Sequence, residues 1–176
     1  REAGAVGTDA RGFGPGASRF EAANLRALLC SGGLDGLRLW PGAPDPETVR
    51  IAARDEGWAS RDLDCEGVDT KADYLARCAR TFDFPDYFGG NWDALEECLA
   101  DVGDTDAEGL LVVWHSWQHM ALESPKAFAT ALDIWRSTVD SWEAQGDRAG
   151  VVLLSESPTI PDELEVALGD LPQVPA

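Results

Sequence analysis

The sequence contains few basic residues. Of its 176 residues, 14 are Lys or Arg and 32 are Asp or Glu, which gives a formal net charge of −18. Nucleic acid carries a phosphate charge on every nucleotide, so a protein this acidic would repel it. The composition therefore excludes nucleic acid as a direct ligand and favours a basic partner.

Long apolar runs are also absent. The longest runs, such as LLVVW at 110–114, are far too short to cross a bilayer, which takes about 20 apolar residues. No charged-then-apolar leader opens the sequence. We therefore expect a cytoplasmic protein that makes no membrane contact.

The cysteines form no metal-binding or redox motif. Cys30, Cys65, Cys78 and Cys98 include no CxxC pair and no zinc-type spacing, although their even number would allow disulfides. Cys78 and Cys98 fall on or near the apolar faces of predicted helices. We therefore expect reduced thiols that pack as small hydrophobic side chains, and no cofactor or metal ion.

The most informative stretch is FPDYFGGNWDALEECL at 84–99, which joins an aromatic loop to a helix. Pro85 fixes its own φ, whereas Gly89 and Gly90 permit positive φ. This combination predicts a sharp turn immediately before the helix.

Asn91 is a suitable N-cap for a helix over 92–101. One side of that helix, together with the aromatic residue before it, is apolar and is predicted to be buried: Phe88, Trp92, Leu95, Leu99 and Val102. The opposite side carries exposed carboxylates: Asp93, Glu96, Glu97 and Asp101. The first of these carboxylates are stabilised by the positive end of the helix dipole.

The carboxylates belong to a longer segment that has no basic residue. From 83 to 108 there are nine Asp or Glu and no Lys or Arg. Mutual repulsion within such a segment costs stability. Composition leaves two explanations open, which are a solvated surface that opposes aggregation and a binding patch for a basic partner.

The stretch 84–99 resembles the loop and second helix of the barstar family of intracellular ribonuclease inhibitors. The positions identical to the family pattern are Tyr87, Gly89, Asn91, Asp93, Ala94, Leu95 and Leu99, and Phe88 and Trp92 are apolar replacements. Two positions depart from it. Glu97 replaces an aspartate that enters the ribonuclease active site in the family, and Glu96 replaces a tryptophan.

The resemblance extends over about 57–155 and implies a protein inhibitor with no catalytic residue of its own. Its target would be a basic secreted or toxin-type ribonuclease, whose active site it would block. The partner-binding residues that the resemblance implies are Tyr87, Gly89, Gly90, Asn91, Trp92, Asp93, Glu96, Glu97 and Asp101. An immunity or regulatory module for a different toxin is the alternative, and we expect a monomer in the free state.

The order of predicted elements is typical of a small α/β domain, which we assign to 57–156. The strands are predicted at 58–65, 110–114 and 150–154, and the helices at 70–82, 92–101 and 124–146. A β-α-α-β-α-β order with right-handed crossovers predicts a small three-stranded parallel sheet packed with helices. The resemblance implies the same fold.

An N-terminal extension over 20–56 precedes this domain. Its predicted elements are a helix at 20–30 and strands at 37–40 and 49–54. Two roles are open for the extension, because it either packs on the main domain or forms a second binding surface.

The two ends of the chain are predicted to have little structure. Residues 1–19 contain five Gly and are typical of a flexible lead-in. The proline-containing tail, 157–176, is predicted to be loose apart from a turn at 162–168.

Two further patterns suggest chemistry only weakly. His115 and His119 have i, i+4 spacing, but His115 ends a predicted strand, so helical spacing does not apply and no third metal ligand is spaced for the pair. Asp93 and Glu97 would form an acid–base pair only if burial separated their pKa values, and carboxylates on an exposed helix lack that burial. We therefore predict no metal site and no catalytic site.

Overall fold

The computed structural model describes residues 19–86, 88–102 and 106–175. This part of the chain contains seven helices and four strands: α1 Arg19–Ser31, β1 Gly36–Pro41, α2 Pro46–Asp55, β2 Ala59–Asp64, α3 Lys71–Thr81, α4 Trp92–Val102, β3 Leu110–His115, α5 Gln118–Glu123, α6 Pro125–Ala144, β4 Ala149–Ser155 and α7 Asp162–Leu168. The predicted flexible lead-in at 1–19 lies, apart from Arg19, outside the described residues.

The four strands form one parallel sheet in the order β1-β4-β3-β2. The prediction of three strands is therefore wrong, because β1 of the N-terminal extension joins the same sheet. β1 pairs with β4 from Gly36 opposite Gly150 to Pro41 opposite Ser155. The sequence pattern located this strand but not its partner, since parallel pairing joins residues that are far apart in the chain.

Helices cover both faces of the sheet. The side chains of β3 alternate between the two faces, with Val112 and Trp114 in the larger core cluster and Leu111 and Val113 in the smaller one. α2 packs on β2 and β3 with α1 beside it, whereas α6 packs on β1 and β4 and contacts α4, α5 and α7. The extension thus supplies both a strand and the helices of the second layer.

α2 corrects a second prediction, because 49–54 is helical and not a strand. The Asp45 carboxylate caps the helix, accepting from the backbone N–H of Thr48 at 2.9 Å and from its hydroxyl at 2.8 Å. Pro46 lies in the first turn, where its missing N–H removes no helical hydrogen bond. The buried residues recur at helical spacing: Thr48, Val49, Ala52 and Ala53. A short apolar run does not by itself distinguish the two structures.

The C-terminal tail packs against the edge of the sheet, contrary to the prediction of a loose segment. α7 lies where a turn was predicted, and its Leu164 and Leu168 are buried. Beyond α7, the Leu39 amide donates to the Pro172 carbonyl at 2.8 Å, and the Val174 amide donates to the Leu39 carbonyl at 2.9 Å. These bonds cover part of the outer edge of β1, where backbone groups would otherwise be unpaired.

The other predicted elements are confirmed to within about two residues, namely the helices α1, α3, α4 and α6 and the strands β1, β2, β3 and β4. The short helix α5 was not predicted. No helix of the described residues is both long and apolar enough to span a membrane.

Candidate functional site

The loop before α4 turns at a glycine and ends in a side-chain cap. Gly90 has a φ of +67°, a conformation that glycine adopts without steric cost, whereas Gly89 does not have a positive φ. Asn91 Oδ1 accepts a hydrogen bond from the Ala94 amide at 2.8 Å, which confirms Asn91 as the N-cap of α4. The turn predicted to use two glycines therefore needs the left-handed conformation at one.

Aromatic side chains fix this loop to the core. The Phe84 ring lies 5.9 Å from the Phe82 ring and 5.0 Å from the Phe88 ring, measured between centroids. Phe82 in turn lies 5.7 Å from Trp135 of α6. The Phe88 amide donates to the Pro85 carbonyl at 2.9 Å. These contacts hold Phe84 and Phe88 of the loop against the core.

α4 is held through its apolar side. Leu95 and Leu99 are completely buried. Trp142 Nε1 of α6 donates to the Leu99 carbonyl at 3.1 Å. Trp92 and Val102 are partly buried and pack against the same core. These contacts confirm the predicted buried side of the helix and fix which side faces solvent.

The opposite side of α4 carries the predicted carboxylates, which we call the acidic face: Asp93, Glu96, Glu97 and Asp101. All four residues are exposed. Within the described ranges, none of them forms an ion pair. Because no basic side chain of the described ranges pairs with the acidic face, its charge is available to a partner.

Cys98 lies beside the acidic face and does not add to its charge. Desolvation, together with the charges of Glu97 and Asp101, raises the pKa of the Cys98 thiol above its ordinary value. All four cysteines are free. Cys65 and Cys78 are buried, and burial raises the pKa of Cys65 to about 12 and that of Cys78 further still. The buried thiols of Cys65 and Cys78 are therefore neutral at physiological pH.

Lys71 is a residue near the site that the sequence analysis missed. Its Nζ lies 5.4 Å from the centroid of the Trp92 ring, and the buried Tyr74 ring lies 6.2 Å from the same centroid. An ammonium group over an indole face is stabilised by the quadrupole of the ring. Lys71 belongs to α3, so no pattern within 84–99 could have indicated its position at the start of the acidic face.

The structure brings together most of the predicted partner-binding residues. Tyr87 lies outside the described residues. The others occupy the loop and α4, where all are exposed except Trp92, which is partly buried: Gly89, Gly90, Asn91, Trp92, Asp93, Glu96, Glu97 and Asp101. Their role in binding stays a prediction.

The two histidines contact carboxylates separately. His115 Nε2 lies 2.5 Å from Asp62 Oδ1, and its Nδ1 lies 3.6 Å from Asp64 Oδ1. His119 Nε2 lies 2.9 Å from Asp69 Oδ1. His115 ends β3 and His119 lies in α5, which confirms that their i, i+4 spacing is not helical. The described ranges contain no group of three or more His, Cys, Asp or Glu that could hold a metal ion.

A solved structure shares the fold at low sequence identity. The chain is similar to the ORC2 protein of Aeropyrum pernix, solved as ADPNP-ADP complexes, with a TM-score of 0.53 and 15% identity. The match covers 95% of this chain and 46% of that one, so this chain spans less than half the length of the ORC2 protein. At this identity the likeness concerns the fold alone. No curated protein matches the chain.

A family model gives a more specific result. The model described as Barstar (barnase inhibitor) matches residues 58–154, which is more than half of the chain. The matched range contains the aromatic loop, α4 and the strands β2 and β3 in full. With its acidic helix and capped loop inside that range, this chain belongs to the barstar family.

Proposed function

We propose that this protein inhibits a basic ribonuclease by covering the enzyme's active site with the loop at 85–91 and the acidic face of α4. Membership of a family of barnase inhibitors supports a protein partner of this kind. The observation that carries the proposal is the acidic face itself. Its four carboxylates are exposed, form no ion pair within the described ranges, and lie in a segment that lacks Lys and Arg from 83 to 108.

The carboxylates would take the place of RNA phosphates. A ribonuclease binds phosphates through Arg, Lys or His side chains, and a carboxylate accepts the same charge-assisted hydrogen bonds. Asp93 and Glu97 are separated by one helical turn and project from the same side of α4. Two carboxylates in this arrangement would fill two neighbouring cationic subsites.

The loop would add contact area at a low entropic cost. Gly89, Gly90 and Asn91 are exposed, while the hydrogen bond from the Ala94 amide to Asn91 and the ring contacts among Phe82, Phe84 and Phe88 hold the adjoining backbone in place. Ordering a mobile loop on binding reduces affinity, and a loop that is already fixed avoids most of that loss.

The charge of the whole protein would accelerate the encounter. A protein of net charge −18 attracts a basic enzyme over long distances, and complementary charge raises association rates. We further propose that the free inhibitor is a cytoplasmic monomer that protects the cell containing it, either from that cell's own ribonuclease or from that of a competitor.

Inhibition titrations with a basic ribonuclease captured by this chain test the proposal. The wild-type chain should inhibit the captured enzyme, and the double variant Asp93→Asn, Glu97→Gln should lose most of that inhibition. Glu163→Gln on α7 is the matched control, since it removes an exposed charge outside the family match. Capture without inhibition would contradict the proposal and favour the regulatory module instead.

A further inference from the structure

A crevice of about 500 Å³ opens at the C-terminal edge of the sheet. Its walls come from the segment after β1 and from the last residues of β3 and β4 with the loops that follow them, within 43–46, 115–118 and 154–156. None of these residues belongs to the acidic face of α4 or to its loop. The volume lies in the range of roughly 300–1,000 Å³ that is typical of small-ligand sites.

The topology of the sheet explains the position of the crevice. After β1 the chain enters α2 on one face of the sheet, whereas after β3 it enters α5 and α6 on the other face. β4 lies between β1 and β3, so the loops at its two sides leave in opposite directions. In open α/β sheets, ligands bind beyond the strand ends at such a switch in direction.

Hydrogen bonds hold the walls of the crevice in place. Trp117 Nε1 is buried and donates to the Leu154 carbonyl at 2.9 Å. The Ala43 amide donates to the Ser155 carbonyl at 3.0 Å. Ser116 has a φ of +59°, which is uncommon for a residue other than glycine. The three loops are thus tied to one another, and the crevice exists without a ligand.

The charges around the crevice are acidic. Asp45 and Glu156 lie in its walls, and its lining contains no Lys or Arg. His115, the basic residue of the lining, already contacts the carboxylates of Asp62 and Asp64. The crevice lies where related sheet topologies bind phosphate-bearing ligands, but these charges would repel a phosphate.

The N-terminus of α2 does not make the crevice attractive to anions. It begins at the crevice, and the positive end of its dipole would by itself favour an anion. The Asp45 carboxylate already occupies that position, because it accepts from the amide and the hydroxyl of Thr48. The helix N-terminus is therefore neutralised from within the chain.

Hydrogen-bond acceptors in the walls remain free. In the part of the chain that the structure describes, the carboxylate of Glu156 and the side-chain amide of Gln118 have no hydrogen-bond partner. Pro44 and Leu154 add apolar surface to the same walls. A guanidinium group matches this combination, since its donors lie in one plane and its weakly hydrated faces pack on apolar side chains.

We propose that this crevice binds a guanidinium group, with Glu156 as the charged partner and the side-chain oxygens of Gln118 and Ser116 as further acceptors. The site is distinct from the proposed ribonuclease-binding surface and does not depend on that function. The group would come either from a free small molecule or from an arginine side chain of another protein.

NMR titration of the full chain tests this proposal with two probes. Methylguanidine represents a free ligand, and a capped Gly-Arg-Gly peptide presents the group as a protein does. We expect saturable shifts of the backbone amide signals of Ser116, Gln118, Ser155 and Glu156 with at least one probe. Tighter binding of methylguanidine would identify a free small molecule as the ligand, and tighter binding of the peptide would identify an arginine side chain of another protein. Equal binding of the two probes would support the site with either kind of ligand.

Two variants and two further ligands complete the test. Glu156→Gln should weaken binding at least about fivefold because it removes a charged acceptor, whereas Glu163→Gln on α7 should leave the affinity unchanged. A capped Gly-citrulline-Gly peptide, neutral but of similar shape, should not bind. The proposal is overturned if neither guanidinium probe gives saturable shifts, if the citrulline peptide binds equally well, or if ADP binds in the crevice.

Discussion

The carboxylates of β2 and of the loop after it differ from those of the acidic face in what surrounds them. Asp62 and Asp64 of β2 contact His115, and Asp69 of the following loop contacts His119. On α4 the carboxylates form no ion pair within the described ranges. Carboxylates that pair with a histidine stabilise the fold, whereas the charge of unpaired carboxylates is available to bind another molecule. Residues of the same type thus have different uses according to their neighbours.

Removing one charge from the acidic face should have the largest effect. We expect Glu97→Gln to weaken binding of the target ribonuclease by about 2–5 kcal/mol, because it leaves buried enzyme cations unpaired. That range draws partly on the barnase–barstar complex, so it is not independent of the family. Titration of ribonuclease inhibition measures the change, and circular dichroism checks the fold. Affinity equal to that of the wild type would show that the main contact is made by another residue, with Asp93 the next candidate.

Shortening the same side chain should have a smaller effect. Glu97 is one methylene longer than the aspartate of the family pattern, so its target should have a subsite matched to glutamate. We expect Glu97→Asp to weaken binding to that target by roughly 1–3 kcal/mol, since the charge is kept and its position is not. The same titration measures it. An unchanged or improved affinity would show that the subsite is not shaped for the longer side chain.

Salt should slow the association with the ribonuclease. Ions screen exposed charges over about 8 Å at physiological ionic strength, so the attraction due to the net charge weakens as salt is added. We expect the on-rate to fall at least about tenfold between low and high salt, measured by stopped-flow fluorescence. An on-rate that does not change with salt concentration would show that long-range electrostatic attraction does not accelerate the association.

Removing the N-cap of α4 tests whether the loop must be fixed. Asn91→Ala deletes the hydrogen bond to the Ala94 amide and should lower the free energy of unfolding by about 1 kcal/mol. Binding should weaken as well, because the loop would then be ordered only on association. Urea unfolding and inhibition titration measure the two effects. Full affinity in a destabilised variant would show that the fixed loop is not needed.

Changing the paired carboxylates should have the smallest effect on binding. We expect Asp62→Asn to leave ribonuclease inhibition unchanged and to lower the free energy of unfolding by at most about 1 kcal/mol, since the contact with His115 is partly exposed. Urea unfolding and inhibition titration again provide the measurements. A loss of inhibition as large as that of Glu97→Gln would remove the distinction between the two sets of carboxylates.

Local features of the fold were predictable from neighbouring residues. The cap at Asn91, the turn at Gly90 and the two sides of α4 depend on residues within a few positions of one another. The helical period and the cap determine these features before any packing occurs. The predicted core strands β3 and β4 were recognisable because strands buried on both faces have continuous apolar runs.

Features that join distant parts of the chain were not predictable in this way. Parallel pairing of β1 with β4, the bond from Leu39 to the tail, and the position of Lys71 over Trp92 all link separate elements. The crevice is of the same kind, since its walls come from three loops. No local pattern encodes such contacts, because they arise only when the elements pack.

The sequence by itself therefore determined the charge of this protein, the acidic helix and the order of its main elements, since these follow from composition and short-range periodicity. Only the tertiary structure decided that the sheet has four strands, which carboxylates acquire histidine partners, and where the loops leave a crevice. The physical reason is that charge and helical propensity belong to residues and their near neighbours, whereas burial and pairing depend on which distant side chains the fold brings into contact.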